Sequence, residues 1–451
     1  MLSRRFCLIA LAIGLTASLI VYVGLAVQWF HVGSIAGRWA YGFVQHFTAP
    51  ALIVGVLAAA AAATALRLPV PDAHREWWLV AAWLAIGVAI QALLRSLTLF
   101  TFEHIFVSDG ANSFYSFAQQ HDAVTALTDF DRVRATAPLH AQSNMPGKLM
   151  LVYALQLLSA DPGVVAWLVA FVSTLGAPLI YRFVRDLFAD RRTALYAMVL
   201  YLFVPARLVF LPLMNTVTPV VILGCVCLLQ RWLRVRTAAS AALLGAALYG
   251  VVFFEPLPLV MGLLFAALTI RAVVMRDMTL QTAVLHLSIV VLAFIGTAEA
   301  AHLAFDFDLL ETFADIRHHA VSFNATEARP YALWVRANLW EFAFATGLCQ
   351  TVLFLALAAG IATGRPRATD LLKDPAAVIC LSLLAVLLAT DLIGINRGEV
   401  VRLWIFLACF FQIPAAYVCT RLEHPYAITL VAGSSIVSAA LGTSMIGFII
   451  P

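Results

Sequence analysis

Apolar residues run in long blocks separated by short polar stretches. The blocks lie near 8–29, 48–67, 77–100, 163–184, 194–213, 216–233, 238–254, 256–273, 280–301, 341–362, 375–395, 401–420 and 427–449. Most approach the roughly 20 apolar residues that a helix needs to cross a bilayer. The pattern predicts an all-α polytopic membrane protein with about 13 transmembrane helices. Residues 148–159 are also apolar but too few to span. The Pro146-Gly147 pair before them marks a turn, and an interfacial helix is expected there.

The polar stretches between the blocks set the orientation. With Arg4 and Arg5 in the cytoplasm, the inner loops carry Arg67 and Arg75; then Arg182, Arg185, Arg191 and Arg192. Next come Arg231, Arg234 and Arg236, then Arg271 and Arg276, then Arg365, Arg367 and Lys373, and last Arg421. Every predicted inner loop is basic, as the positive-inside rule requires. The start, Ser3-Arg4-Arg5-Phe6, faintly resembles a twin-arginine signal, but the apolar run after it exceeds a signal core. An uncleaved first span is expected, in a multi-pass protein of the plasma (inner) membrane with a cytoplasmic N-terminus. The outer face then holds two longer segments, 101–162 and 302–340, and short turns at 213–216, 254–257 and 396–400. The organisation expected is two N-terminal spans and a cytoplasmic loop (1–76), a transmembrane core (77–420) and a C-terminal span (421–451). No internal repeat is visible, which argues against a transporter built from inverted halves.

Composition supports the same class. Of 451 residues, 63% are hydrophobic and 12% charged, against roughly a quarter charged in soluble proteins. That excludes a soluble enzyme, a disordered chain and a nucleic-acid-binding protein. The net charge of +4 is small, so the placement of charge matters more than its sum. The seven cysteines fall almost wholly inside apolar runs and read as core thiols. Cys225-Val-Cys227 lacks zinc-knuckle spacing, and no disulfide framework is supported.

Candidate chemistry sits on the outer face. Asp109, in Ser108-Asp109-Gly110, follows a span directly. A partly shielded carboxylate there can serve as a general base; Ser108 or Asp109 can equally cap a helix beginning near Gly110. Asp129 and Asp131 read as a solvated turn. Lys148, after Met145-Pro146-Gly147, lies at headgroup level, to meet a phosphate or to snorkel. Asp109, Asp129 and Asp131 also offer oxygen ligands to a divalent cation, at a spacing that identifies no ion. No metal site or cofactor is assigned.

Arg207 lies in the outer half of its span, where charge is costly; its partner is an anion or an acid such as Glu255. In the second outer segment, His318 and His319 are adjacent and point to different helix faces. A two-histidine metal site is therefore not expected, though one imidazole can meet a phosphate. Tyr331, Trp334 and Trp340 fit an interfacial belt or a surface that stacks on sugar rings, and Asn324-Ala325-Thr326 matches a glycosylation sequon. The last outer turn reads Asn396-Arg397-Gly398-Glu399-Val400-Val401-Arg402-Leu403-Trp404. Glu399 and Arg402, three apart, can pair on one helix face. Arg207, Arg329, Arg397 and Arg402 run against the charge rule on this side. An anionic headgroup such as a lipid phosphate would account for them. No Walker loop, dinucleotide fingerprint or nucleophile elbow is present.

Together these features resemble the GT-C superfamily of polytopic glycosyltransferases, which includes the protein O-mannosyltransferases and the lipid A aminoarabinose transferases. The likeness spans about residues 77 to 420. It rests on Asp109 with Tyr115, on Met145-Pro146-Gly147-Lys148, on Val204-Pro205-Ala206 with Pro212-Leu213-Met214-Asn215, and on Gly398-Glu399 through Arg402 and Trp404, similar to a GEXXRXW pattern of some bacterial members. Asn215 stands where many members carry a second Asp, and their paired acids after the first span are absent.

The resemblance implies an inverting transfer from a polyprenyl-phosphate sugar to an acceptor hydroxyl of a glycan, lipid or protein, outside the cytoplasm. It implies Asp109 as base, with Arg207, Arg402, Lys148, His318 and His319 toward the donor phosphate. Tyr115, Glu255, Arg329, Tyr331, Trp334, Arg397 and Glu399 are then candidates for substrate binding. Two other readings use the same residues: a flippase of an anionic lipid-linked saccharide, which predicts broken helices, and a non-catalytic subunit of a cell-envelope polymer complex.

Overall fold

The computed structural model describes residues 3–35, 39–67, 76–364 and 367–451 and is almost wholly helical. Among the described residues the one sheet pairs Gly33–Ser34 antiparallel with Trp39–Ala40. Arg75 and Arg365, counted above as inner-loop charges, lie outside the described residues.

Each apolar block is helical, but the expected count is not reached by long helices alone. Among the described residues nine helices are long and apolar enough to cross a membrane, or ten with one bent pair. Three further blocks are shorter apolar helices, Ala49–Ala65, Ala238–Phe254 and Ile405–Arg421. The first has 17 residues, so it rises about 25 Å against a hydrocarbon core of roughly 30 Å.

The block at 341–362 is no continuous helix. Tyr331–Thr346 and Leu348–Thr363 meet at a bend of 110°. Gly347 makes the corner at φ +99°, a conformation that L side chains rarely adopt. Backbone groups freed inside hydrocarbon need partners, and the Gln412 amide supplies one by donating to the Thr346 carbonyl at 3.0 Å.

The chain divides into two units. The first comprises Met1–Thr101, Thr174–Leu211 and Ala328–Phe448. Its helix Ala49–Ala65 buries Ala51, Gly55, Ala58 and Ala62, one small residue per turn. That stripe lies against Pro425–Met445, where a Cβ on Gly55 would come within 2.9 Å of the Ala440 methyl. Small side chains suit helices in lipid, where close backbone approach replaces the hydrophobic drive. The helix Arg191–Leu202 buries every residue from Thr193 to Leu202 and forms the unit's centre.

The second unit comprises Phe102–Ser173, Pro212–Glu327 and Ile449–Pro451. Ala238–Phe254 packs on Leu280–Phe305 so closely that a Cβ on Gly245 would meet the Val290 carbonyl at 2.2 Å. Leu280–Phe305 is otherwise largely exposed, as a lipid-facing helix is, and its buried His286 accepts from the Trp232 indole at 3.1 Å. The segment 101–162 folds as short helices. These include Phe102–Val107, Phe114–Gln120, Leu139–Gln142 and Gly147–Gln156, the last being the short helix expected after Pro146. Leu127, Phe130 and Met145 of this segment share a core with Tyr249, Phe307 and Ile316.

Candidate functional site

Asp109 stands exposed on a loop that hydrogen bonds from Ala111, Asn112 and Ser113 hold. Buried Asn112 donates to the Phe106 carbonyl at 3.0 Å, and the Ala111 amide donates to the Ser108 hydroxyl at 3.1 Å. Ser113 sits at φ +61° and its hydroxyl donates to the Asp109 carbonyl at 2.7 Å. A non-glycine residue in that region is strained and persists only where its surroundings impose it. The helix that follows starts at Phe114, so the Asp109 carboxylate caps no helix near Gly110; it accepts from the Ser116 hydroxyl. Tyr115 is half-buried with its ring against Phe106.

Downstream, Asp122 caps the turn Thr125–Thr128. The Thr125 hydroxyl, then the Thr125 and Val124 amides, hold its carboxyl below the usual range. The depressed value means that this cap stabilises above the ordinary carboxylate pKa and is lost as pH falls through the folded one. The Tyr153 hydroxyl donates to the His121 carbonyl at 2.7 Å; burial, and then Asp122, push its phenol up to about 12.

Lys148 is buried and ion-paired. It is 1% exposed and paired with Glu255 at 2.9 Å. The ammonium also donates to Asn144 Oδ1 at 2.8 Å, and the Thr218 hydroxyl donates to the Glu255 carboxylate. Only glycine fits at 147, because a Cβ there would lie 2.5 Å from the Phe253 carbonyl oxygen. Beside this polar group an apolar cavity of about 310 Å³ is lined by Gly147, Gly224, Cys225, Gly250, Phe253 and Phe254. A Cβ on Gly224 or Gly250 would meet nothing within 4 Å.

Asp129 and Asp131 are held by Arg132 and Arg134, and Arg134 also reaches Asp315 at 3.1 Å. No three His, Cys, Asp or Glu side chains converge as a metal site among the described residues. His318 is exposed and His319 half-buried on the helix Leu309–Thr326. The sequon's Asn324 is buried and donates to the Ala320 carbonyl at 3.1 Å, so its amide does not face a glycosylating enzyme.

In the first unit, Arg207 is fully buried and turned toward its own chain. Its guanidinium donates to the carbonyls of Tyr201 at 3.3 Å and Leu202 at 2.6 Å. The cause is local: the helical partner of the Tyr201 carbonyl would be residue 205, a proline without an N–H. Arg207 caps the interrupted helix and lies over the Tyr201 ring. Glu255, the acid set against it in the sequence, is engaged by Lys148. We predict that Arg207→Met lowers the thermal stability of the detergent-solubilised protein, by about 1–3 kcal/mol for the lost hydrogen bonds to these carbonyls. An unchanged melting temperature would contradict the capping role.

The same unit gathers Arg329, Arg397 and Arg402. Arg329 is 5% exposed; it donates to Glu399 at 2.9 Å and to the Arg397 carbonyl at 2.8 Å, and lies over the rings of Trp39 and Trp334. Arg402 pairs with the other oxygen of Glu399, as the three-residue spacing predicts. Arg397 returns a bond to the Arg329 carbonyl at 3.1 Å and lies over Tyr331, whose hydroxyl donates to the Leu392 carbonyl. Gly394, Gly398 and Glu399 all have positive φ. A Cβ on Gly398 would press into the Trp334 ring at 2.9 Å. Tyr41 lies near these charges: burial, then Glu341 and Glu399, push its phenol well above the ordinary value, and Arg402 and Arg329 oppose them.

Asn338, which the sequence reading passed over, organises this turn. Its amide donates to Asp391 at 3.1 Å and to the Asn396 carbonyl at 3.0 Å, and accepts from the Gly398 amide at 3.0 Å. Trp334, Asn338 and Glu341 are spaced by four and three, and all three are buried; that polar stripe was the available signal. No protein-family model and no curated protein matches the chain, so the chemistry of these two groups of residues has to be argued from their geometry.

Proposed function

We propose that the protein transfers a sugar from a polyprenyl-phosphate carrier to an acceptor hydroxyl outside the cytoplasm, with Asp109 as general base. The observation that carries this reading is the Asp109 loop: an exposed carboxylate beyond a span, on a backbone held by Asn112, Ser113 and Ser116. A fixed, accessible carboxylate is what proton removal from a hydroxyl requires. The apolar cavity beside Gly147 supports a donor with a hydrocarbon chain. Arg397 and Arg402, in the other unit, remain proposals for an anionic headgroup, Arg402 with its charge already paired to Glu399. His318, His319 and Tyr331 keep proposed roles at the substrate; the Trp334 ring, fully buried, packs inside the turn instead.

The test is incubation of the protein in nanodiscs with a panel of polyprenyl-phosphate sugars and acceptors. Release of polyprenyl phosphate is expected. One observation favours a second reading, a flippase of an anionic lipid-linked saccharide: the 110° break at Gly347, of the kind that lines substrate paths in transporters. Passage of intact donor across a proteoliposome bilayer, without release of phosphate, would select it.

A further inference from the structure

A line of hydrogen bonds joins the Asp109 loop to the buried ion pair of the second unit. The ring of His140 meets the Gly110 carbonyl through Nε2 at 3.0 Å. Asn144 donates to the His140 carbonyl at 2.7 Å, Lys148 donates to Asn144 at 2.8 Å, and Glu255 closes the line on Lys148 at 2.9 Å. Asn144 and Lys148 each reach four residues back, to the His140 carbonyl and to Asn144 Oδ1, so the bonds form a ladder from 148 to 140. They bridge the place where the backbone helix fails, between Leu139–Gln142 and Gly147–Gln156, because Pro146 carries no N–H.

The two ends of the ladder differ in rigidity. At one end lie Lys148, almost without exposure, Gly147 against the Phe253 carbonyl, and Thr218 on Glu255. At the other end lies an exposed loop whose carboxylate must point at a substrate. A carbonyl held next to the reacting residue limits the rotation of the peptide that carries it.

We infer that Asn144 and His140 are positioning residues for Asp109, and that the Lys148–Glu255 pair is the strut from which they act. This rests on the reading of Asp109 as the base. It gives Lys148 a task other than binding the donor phosphate.

The experiment is a double-mutant cycle on the full chain in nanodiscs, with His140→Ala, Asn144→Ala and the double variant, and Asn144→Gln as the conservative exchange. Two readouts are taken: transfer kinetics, and amide hydrogen exchange across residues 108–116. Each single variant is expected to raise exchange in that loop and to lower kcat roughly 10- to 100-fold with KM little changed, the cost of slight misplacement. The double variant is expected to be no worse than either single one, since both cut the same line. Asn144→Gln should recover part of the loss. Additive effects, or loop exchange that stays at the wild-type level, would overturn the inference. If the wild type releases no polyprenyl phosphate, the enzymatic reading fails on its own, and the exchange data alone decide whether the ladder holds the loop.

Discussion

Asp109→Asn is expected to lower polyprenyl-phosphate release by about 10²- to 10⁴-fold, the usual contribution of a positioned base. The amide keeps the size of the carboxylate and can still accept from Ser116, so the loop should hold its shape. What it loses is the capacity to take a proton. The loss should therefore fall on kcat, with donor binding unchanged when measured by displacement of a labelled polyprenyl phosphate. Asp109→Glu keeps the base but moves it by one methylene, and an intermediate rate is expected. Full activity in Asp109→Asn would remove the base from Asp109 and leave the loop a structural role only.

The second large effect concerns stability. Lys148→Met removes one member of an ion pair whose partners are 1% and 7% exposed. Breaking a buried pair from one side leaves an uncompensated charge and costs roughly 3–5 kcal/mol. The variant should melt well below the wild type in detergent. Adding Glu255→Gln should recover part of that loss, because the second charge then disappears as well. A Lys148 that served only as a phosphate ligand would behave differently: the melting temperature would stay near the wild type without donor, and only the donor's stabilising effect would vanish.

The spans were legible because the test for them is local. A block of apolar residues as long as the bilayer is thick is visible in the sequence, and each block proved helical. The break at Gly347 was not visible, since hydropathy averages over the dihedral angle that makes the corner. The pairing of Glu399 with Arg402 was legible because it spans three residues. That of Lys148 with Glu255 was not, because helix packing across the second unit sets it.

Arg207 shows a middle case. Its charge inside a span was conspicuous, and its partner was sought among distant acids and anions. The partners are the carbonyls of Tyr201 and Leu202, at the end of the helix that stops before Pro205, a relation written within seven residues. Asp129 and Asp131 illustrate the reverse, since arginines three residues on engage both.

The corner at Gly347 has an electrical side. A helix carries the equivalent of about half a positive charge at its first turn and half a negative charge at its last. In a straight span these ends lie at the two membrane surfaces. Here Tyr331–Thr346 ends and Leu348–Thr363 begins at one point, at an angle of 110°, so their fields do not lie on one axis. Gln350 and Gln412, both fully buried, stand at that point, and Gln350 donates to Ser435. Such dipolar side chains can turn to oppose a local field, which a leucine of the same volume cannot do. The amides of this corner thus bring both hydrogen-bond donors and orientable dipoles to a place where the backbone ladder is interrupted.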